Sequence, residues 1–257
     1  MDSGIHPLFE VEIAGRRIDP VVAAFQVFSQ AMNAADSGHL LLQDPEDDVV
    51  PELAVGQTVS IRWGYAEEAV LMRLFHGVIR ALNPRGLQTI VHIIDWQTIL
   101  QARGRAITRT WDGATPQEIA GDLLAGSGLT LSARVPDITL GRFPVHGLTP
   151  KEALLQLIQR VRRETGAELR FHVREGALVL AEPDHAQAAV HAIETGVNLI
   201  DRRPGRLGLV EVETLVAPVL HSQVVTVDGE RLHVEEAQYR WQGGGRLVLG
   251  VAPCARS

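Results

Sequence analysis

Residues 56–95, GQTVSIRWGYAEEAVLMRLFHGVIRALNPRGLQTIVHIID, constrain the fold more than any other part of the chain. Apolar and polar residues alternate there over short stretches broken by Gly, Pro or acidic clusters. A period of two belongs to strands with one buried face, not to helices. The same pattern fills residues 8–111. LFEVEI alternates Leu8, Phe9, Val11 and Ile13 around Glu10 and Glu12, and AGRR supplies a turn. AAFQVFS, HLLLQD, TVSIRW, VLMRLF, GVIRAL and LQTIVHII follow as further strand candidates. Gly56, Gly64, Gly77 and Gly86 fall where turns or bulges are expected. Many short strands with frequent turns favour a sandwich or barrel over a parallel α/β sheet.

The grammar changes after residue 111. TPQEIAGDLLAGSG opens with Thr115 as N-cap, Pro116 at the first helical position and Glu118 to close a capping box; Ile119, Leu123 and Leu124 share one face. TPKEALLQLIQRVRRETG repeats this with Thr149, Pro150 and Glu152, carries Leu154, Leu157, Ile158 and Val161, and stops at Gly166. The starts lie 34 residues apart, as in a tetratricopeptide repeat, but LTLSARVPDITLGRFPVHG between them reads as strand and loop. AELRFHVREGALVLAEP reads as a hairpin. From about residue 190 strands return, with Asp228-Gly229 a two-residue hairpin turn. GQTVSIRWG (56–64) echoes HSQVVTVDG (221–229), a match that internal duplication and plain strand alternation explain equally well. The expected organisation is a β-rich segment 1–111, a small α/β segment 112–189 and a second β-rich segment 190–257.

Composition narrows the function. With 24 Lys and Arg against 31 Asp and Glu, the net charge of −7 disfavours a general nucleic-acid binder. Cys254 is the only cysteine, which excludes an intrachain disulfide or a cysteine zinc cluster. The N-terminus lacks a signal-peptide pattern, and no apolar stretch approaches the ~20 residues that span a bilayer. A cytoplasmically made protein without membrane association is expected.

Reactive constellations are sparse. The ten histidines form no HExxH or other tight ligand spacing, although His76 with His92, and His221 with His233, could face each other across strands. Asp44, Glu46 and Asp48 alternate like the start of a calcium loop, but Val49 and Val55 stand where that loop needs Gly and Glu. A solvated acidic loop is the better reading. Ser127 in AGSGL lacks a nucleophile elbow, and Gly243–Gly245 lack the Lys-Ser/Thr of a phosphate loop. Glu152, Glu164 and Glu168 offer carboxylates for a glycosidase without singling out a pair. Trp63, Trp96, Trp111 and Trp241 are expected to pack a core or an interface. No catalytic, cofactor or metal site is expected.

Several segments together resemble a known family: FEVEIAGRRID, FQVFSQAMNAADSGHLLLQDP, LAVGQTVSIRWGY, RLFHGVIRAL and TIVHIIDWQTIL, with LTPKEALLQLIQRVRRETGAELRF and REGALVLAEP after them. They resemble the phage late control protein D or tail hub family, which includes the hub portion of type VI secretion spike proteins. The similarity spans about residues 8–251 through spaced apolar and Gly positions. It implies a mainly β fold, with two tail-tube-like antiparallel barrels joined by an α/β middle domain. It also implies a homotrimer whose barrels form a ring between a six-fold tube and a three-fold spike, in a virion tail or baseplate. Tube, spike, tape-measure and other baseplate proteins would be its partners, and DNA or cargo would cross its channel without specific binding. Asp44, Glu46, Asp47 and Asp48 would then serve a channel wall or an inter-subunit loop. Two other readings are a peptidoglycan-degrading tail enzyme and a monomeric ligand-binding β protein.

Overall fold

The alternating segments become strands in the computed structural model, which describes residues 7–30, 35–65, 71–101, 106–174, 176–182, 190–215, 217 and 219–254. By internal contacts the chain divides into two units, Met1–Asp95 with His185–Ser257, and Trp96–Asp184. The fold is mainly β with a small α/β insertion.

The first unit begins with β1 (Pro7–Ile13), β2 (Arg16–Arg17), β3 (Val22–Gln30), β4 (Ser37–Gln43), β5 (Thr58–Tyr65), β6 (Met72–Arg85) and β7 (Gln88–Asp95). The chain returns to it with β13 (Val190–Ile193), β14 (Leu199–Pro204), β15 (Val210–Thr214), β16 (Val224–Val227), β17 (Glu230–Trp241) and β18 (Gly245–Pro253). These form one hydrogen-bonded sheet in the order β14-β15-β18-β17-β3-β4-β7-β6-β5-β1-β2, with β16 added beside β17 and β13 beside β16. One apolar cluster fills its inner face, from Val11, Phe25, Ile61 and Trp63 to Ile193, Val212, Tyr239 and Leu249. Fully burying each such side chain is worth about 1.5–3 kcal/mol against leaving it exposed.

The echo between the two ends of the chain is a structural duplication. In order, β3, β4, β5, β6 and β7 correspond to β14, β15, β16, β17 and β18, and they neighbour one another in the same way. The bulge in β3 opposite β4, between Val22 and Ala24, recurs in β14 between Leu199 and Asp201. The bulge in β6 opposite β7, between Ile79 and Ala81, recurs in β17 between Val234 and Glu236. Gly56 N–H donates to Ile79 O at 2.9 Å, and Ser222 N–H donates to Val234 O at 2.8 Å; the return bonds, Ile79 N–H to Gln57 O and Val234 N–H to Gln223 O, match as well. Even the amide side chains agree, since Gln57 Oε1 accepts from Ala54 N–H and Gln223 Oε1 from Leu220 N–H. Bulges and side-chain bonds do not recur by strand alternation alone. The true offset pairs Gln57 with Gln223, one residue away from the alignment of the two quoted segments. The first strands differ, with β1 antiparallel to β5 and β13 parallel to β16.

The repeats are joined edge to edge. β17 pairs β16 through Glu230–Val227 to His233–Val224, then continues and pairs β3 from Glu236–Gln30 to Trp241–Phe25. Its last residue, Trp241, enters an aromatic cluster of the first repeat, with ring centroids 5.0 Å from Phe9 and 5.3 Å from Trp63; Phe25 lies 5.4 Å from each of Phe9 and Trp63. The wholly buried Tyr239 donates its hydroxyl to Ala217 O and Val219 O. Removal from water pushes its ionisation upward.

Gly64 and Gly77 make no turns. The two candidates around Gly77 run on as the single strand β6 from Met72, and a Cβ on Gly77 would stand 2.2 Å from Ile94 O, so the glycine permits close strand approach. Gly56 and Gly86, with φ of 91° and 62°, do occupy turns. At the second repeat's hairpin Asp228 and Gly229 both have positive φ, 48° and 84°, as a primed turn requires.

The second unit contains β8 (Ile107–Ala114), α1 (Pro116–Leu124), β9 (Thr130–Arg134), β10 (Leu140–Leu148), α2 (Pro150–Thr165), β11 (Arg170–Arg174) and β12 (Ala177–Ala181). The boundary expected at residue 111 falls inside β8, whose partner is β10; contacts change unit after Asp95. Both helices start with complete capping boxes, Thr115–Glu118 and Thr149–Glu152, and α2 stops at Gly166 with φ of 79°. Ile119, Leu123, Leu154, Leu157 and Val161 pack on Phe143, Phe171, Leu178 and Leu180. β12 pairs β11 antiparallel and β9 parallel.

Candidate interaction surface

The carboxylates considered for glycosidase chemistry are engaged in structure. Glu152 closes the capping box of α2, Glu164 pairs with Arg160 at 2.6 Å, and Glu168 pairs with Arg162 at 2.7 Å. Among the described residues, no cluster of three or more His, Cys, Asp or Glu side chains could hold a metal ion. Of the histidine pairings the sequence allows, neither forms across the strands: His92 stands opposite His39, while His76 faces Ser60 and His233 faces Val224. β7 does pair with β6, but in a register that puts Ala81 and not His76 opposite His92. Asn83 Nδ2 lies 3.0 Å from His92 Nε2, and burial first, then the His92 charge, holds His39 below its ordinary pKa.

Asp44 is set apart from the acids beside it. Its buried carboxylate accepts the backbone N–H groups of Asp48 at 3.2 Å, Val49 at 2.7 Å and Val50 at 2.8 Å, folding residues 44–50 into a closed loop. The N–H of Val50 is the leading cause that holds its pKa below the usual range. Glu46, Asp47 and Asp48 are exposed. Arg16 ties the loop to the β1–β2 hairpin by bonding Asp48 O at 3.2 Å and pairing with Glu52. The four acids expected to act together thus divide into an anchor and three solvated charges.

The Trp side chains pack as expected: Trp63 and Trp111 are buried, and Trp111 Nε1 donates to Asp122 at 2.8 Å with Arg109 over its ring.

What the sheet presents outward is a polar face with open edges. Arg203 pairs with Glu211 and, at 3.1 Å, with Asp201; Arg246 reaches Glu213 at 3.8 Å. Gln26, Gln238, Arg240 and His39 continue the face. In β6, residues 81–85 pair only with β7 among the described strands, and β14 pairs only with β15. Among the large exposed apolar side chains, Leu87 lies in the turn after β6, Val197, Ile200 and Leu207 lie in or beside β14, and Leu8, Phe28 and Val55 lie elsewhere on the unit. A cleft at the β3–β17 seam, beside the connection from β14 to β15, is lined by Phe28, Gln30, Leu207, Glu211, Glu236 and Gln238. Another is lined by His39, Arg80, Ala81, Asn83 and His92.

No protein-family model and no curated protein matches the chain. Solved structures do. The 43 kDa tail protein of prophage MuSo2 from Shewanella oneidensis aligns at 12% identity with a TM-score of 0.76, covering 96% of this chain and 98% of that one. The tail protein from Neisseria meningitidis MC58 aligns at 12% identity and TM-score 0.73, over 96% of both chains. The c3393 protein of E. coli, a component of the type VI secretion system described as structurally similar to T4 tail proteins gp27 and gp5, aligns at 10% identity and TM-score 0.67. That match covers 96% of this chain and 77% of that one. The chain has the fold of these tail and secretion proteins.

Proposed function

We propose that the chain is a structural hub of a phage tail or phage-like injection device, working as a trimeric ring around a central channel. The observation that carries this reading is the duplication: two related strand units, already joined edge to edge in one chain, make a protein with pseudo-equivalent halves. Three copies of such a chain present six similar units to a six-fold tube and only three whole chains to a three-fold spike. A closed ring also covers edges that would otherwise invite uncontrolled pairing. The likeness in fold to tail proteins over nearly the whole chain supports the same reading.

In this role the chain resides in the virion tail or baseplate. It contacts tube, spike and tape-measure proteins and lets DNA or cargo pass. The two duplicated units serve as the barrels of the ring, and the α/β unit faces other baseplate parts. Glu46, Asp47 and Asp48, held in place by Asp44, lie at the channel mouth or over a neighbouring copy, where their charge discourages phosphate from lingering. Electron microscopy of the purified protein tests the reading: a three-fold ring with a central hole is expected, and a globular single chain at every soluble concentration refutes it.

A further inference from the structure

In the first repeat His39 and His92 are register partners on the antiparallel strands β4 and β7, so their side chains leave the same face of the sheet. The row continues to Gln26 of β3 on one side and to Ala81 of β6 on the other. Asn83 follows Ala81 by two residues, returns to that face, and brings its side-chain nitrogen to 3.0 Å from His92 Nε2. Both histidines and Asn83 border one cleft of about 490 Å³. We propose that His39 and His92, assisted by Asn83, bind one divalent transition-metal ion of the kind that favours imidazole, Zn²⁺ or Cu²⁺. The site lies within one chain and does not depend on the ring reading.

The geometry suits such an ion. Residues directly opposite on paired strands have Cβ atoms about 4.5–5.5 Å apart, and imidazole nitrogen binds Zn²⁺ at about 2.0–2.1 Å, so two rings leaning together can share an ion without moving the backbone. Ala81, opposite His92 on its other side, leaves space there. The amide of Asn83 can turn its oxygen towards the ion in place of its nitrogen. Two imidazoles and one amide are fewer ligands than a structural zinc site uses, so water completes an open coordination shell. Burial and the His92 charge both favour the neutral form of the His39 ring, the form that binds a metal. Among the described residues no carboxylate lines the cleft, which disfavours Ca²⁺ and Mg²⁺. Exposed Arg80 also lines it, and its positive charge holds the affinity below that of a closed four-ligand site.

The second repeat shows that the fold does not call for these side chains. The matched bulges make Glu211, Gly250 and Gln238 the counterparts of His39, His92 and Asn83, and Glu211 and Gly250 are register partners just as His39 and His92 are. There Glu211 pairs with Arg203 instead. Positions that accept Glu and Gly in one repeat and two histidines in the other are not fixed by packing. An ion at the histidines ties β4 to β7 and, through Asn83, to residues 81–85 of β6, the stretch that pairs only with β7 among the described strands.

Metal titration of the untagged full chain, stripped beforehand with a chelator, tests the site. Calorimetry with ZnCl₂ should give one ion per chain, and excess MgCl₂ or CaCl₂ should not displace it. His39→Gln and His92→Gln should each weaken Zn²⁺ binding by more than about tenfold, and Asn83→Ala by about tenfold, the range that loss of a supporting partner produces. Saturating Zn²⁺ should raise the melting midpoint of the parent and leave both histidine variants unmoved. Electron paramagnetic resonance of the Cu²⁺ form should show two imidazole nitrogens in the parent and one in each histidine variant. A parent spectrum without two imidazole nitrogens overturns the site, whether or not the variants fold. Zn²⁺ binding of equal affinity in the parent and both Gln variants means adventitious attachment to other histidines and overturns it as well.

Discussion

Trp241 belongs to the second repeat but packs in the aromatic cluster of the first, and this can be measured. Trp241→Leu removes ring contacts to Phe9 and Trp63, at 5.0 and 5.3 Å. Aromatic pairs contribute about 0.5–1.5 kcal/mol each beyond their buried area, so losing two costs about 1–3 kcal/mol before any cavity. Leucine refills part of the space, and Trp241 is only half-buried, which puts the expected loss near 2 kcal/mol. Phe9→Leu should cost about 1–2 kcal/mol by the same reasoning, since Phe9 contacts both Phe25 and Trp241. The double variant separates local damage from coupling. If the Phe9 and Trp241 rings support each other, the losses fall short of additivity by about 0.5–1.5 kcal/mol. The assay is urea unfolding followed by far-ultraviolet circular dichroism, with the two units fitted as separate transitions. Only the transition assigned to the sheet unit should move. A coupling below about 0.3 kcal/mol, or a Trp241→Leu loss below about 0.5 kcal/mol, refutes the claim that the second repeat completes the core of the first.

Further outcomes follow from single positions. Gly77→Ala forces a Cβ to 2.2 Å from Ile94 O and should destabilise the sheet unit by about 3 kcal/mol or more, read by thermal melting. Asp44→Ala leaves three backbone N–H groups without their acceptor, and amide exchange at Val49 and Val50 should accelerate at least about tenfold. Because its pKa is lowered in the fold, the carboxylate's contribution is present above the ordinary carboxylate range and lost as pH falls through the lowered value, so acid should open this loop. His172 has its pKa pushed down from 6.5 to about 4, mainly by burial and then by Arg174. The unfolded chain takes up that proton first. The α/β unit should therefore be fully stable above pH 6.5 and lose up to about 3 kcal/mol as pH falls to about 4, a dependence that His172→Gln should abolish in urea titrations.

Local structure was readable in the sequence where chemistry close along the chain decides it. The Thr115–Glu118 and Thr149–Glu152 boxes, the Gly166 stop and the Asp228-Gly229 turn depend on residues within a few positions of one another. Strand alternation likewise marked which side chains face the core. Non-local choices were not readable in the same way. Gly77 carries the same letter as a turn glycine, and only the carbonyl of Ile94 shows that its missing Cβ serves close approach. His92 meets His39 because β4, not β6 at His76, brings a histidine to that register. The duplication was visible as an echo but displaced by one residue, because apolar alternation tolerates a slip that the Gln57 and Gln223 side-chain bonds do not. The candidate surface was the least legible part. One edge exists because β6 outruns its partner β5 beyond Val78, and nothing near residues 236–241 announces that the matching overrun of β17 finds a partner at 25–30.

The seam between β3 and β17 also sets an order of events during translation. Gln30 and Glu236, whose side chains bond across it, are 206 residues apart in the chain. At about 5–20 residues per second, ribosomes deliver the second strand roughly 10–40 s after the first. Throughout that interval the nascent β3 has an open flank and its aromatic cluster lacks Trp241, so polysomes crowded with this message are where mispairing between neighbouring nascent chains has its opportunity.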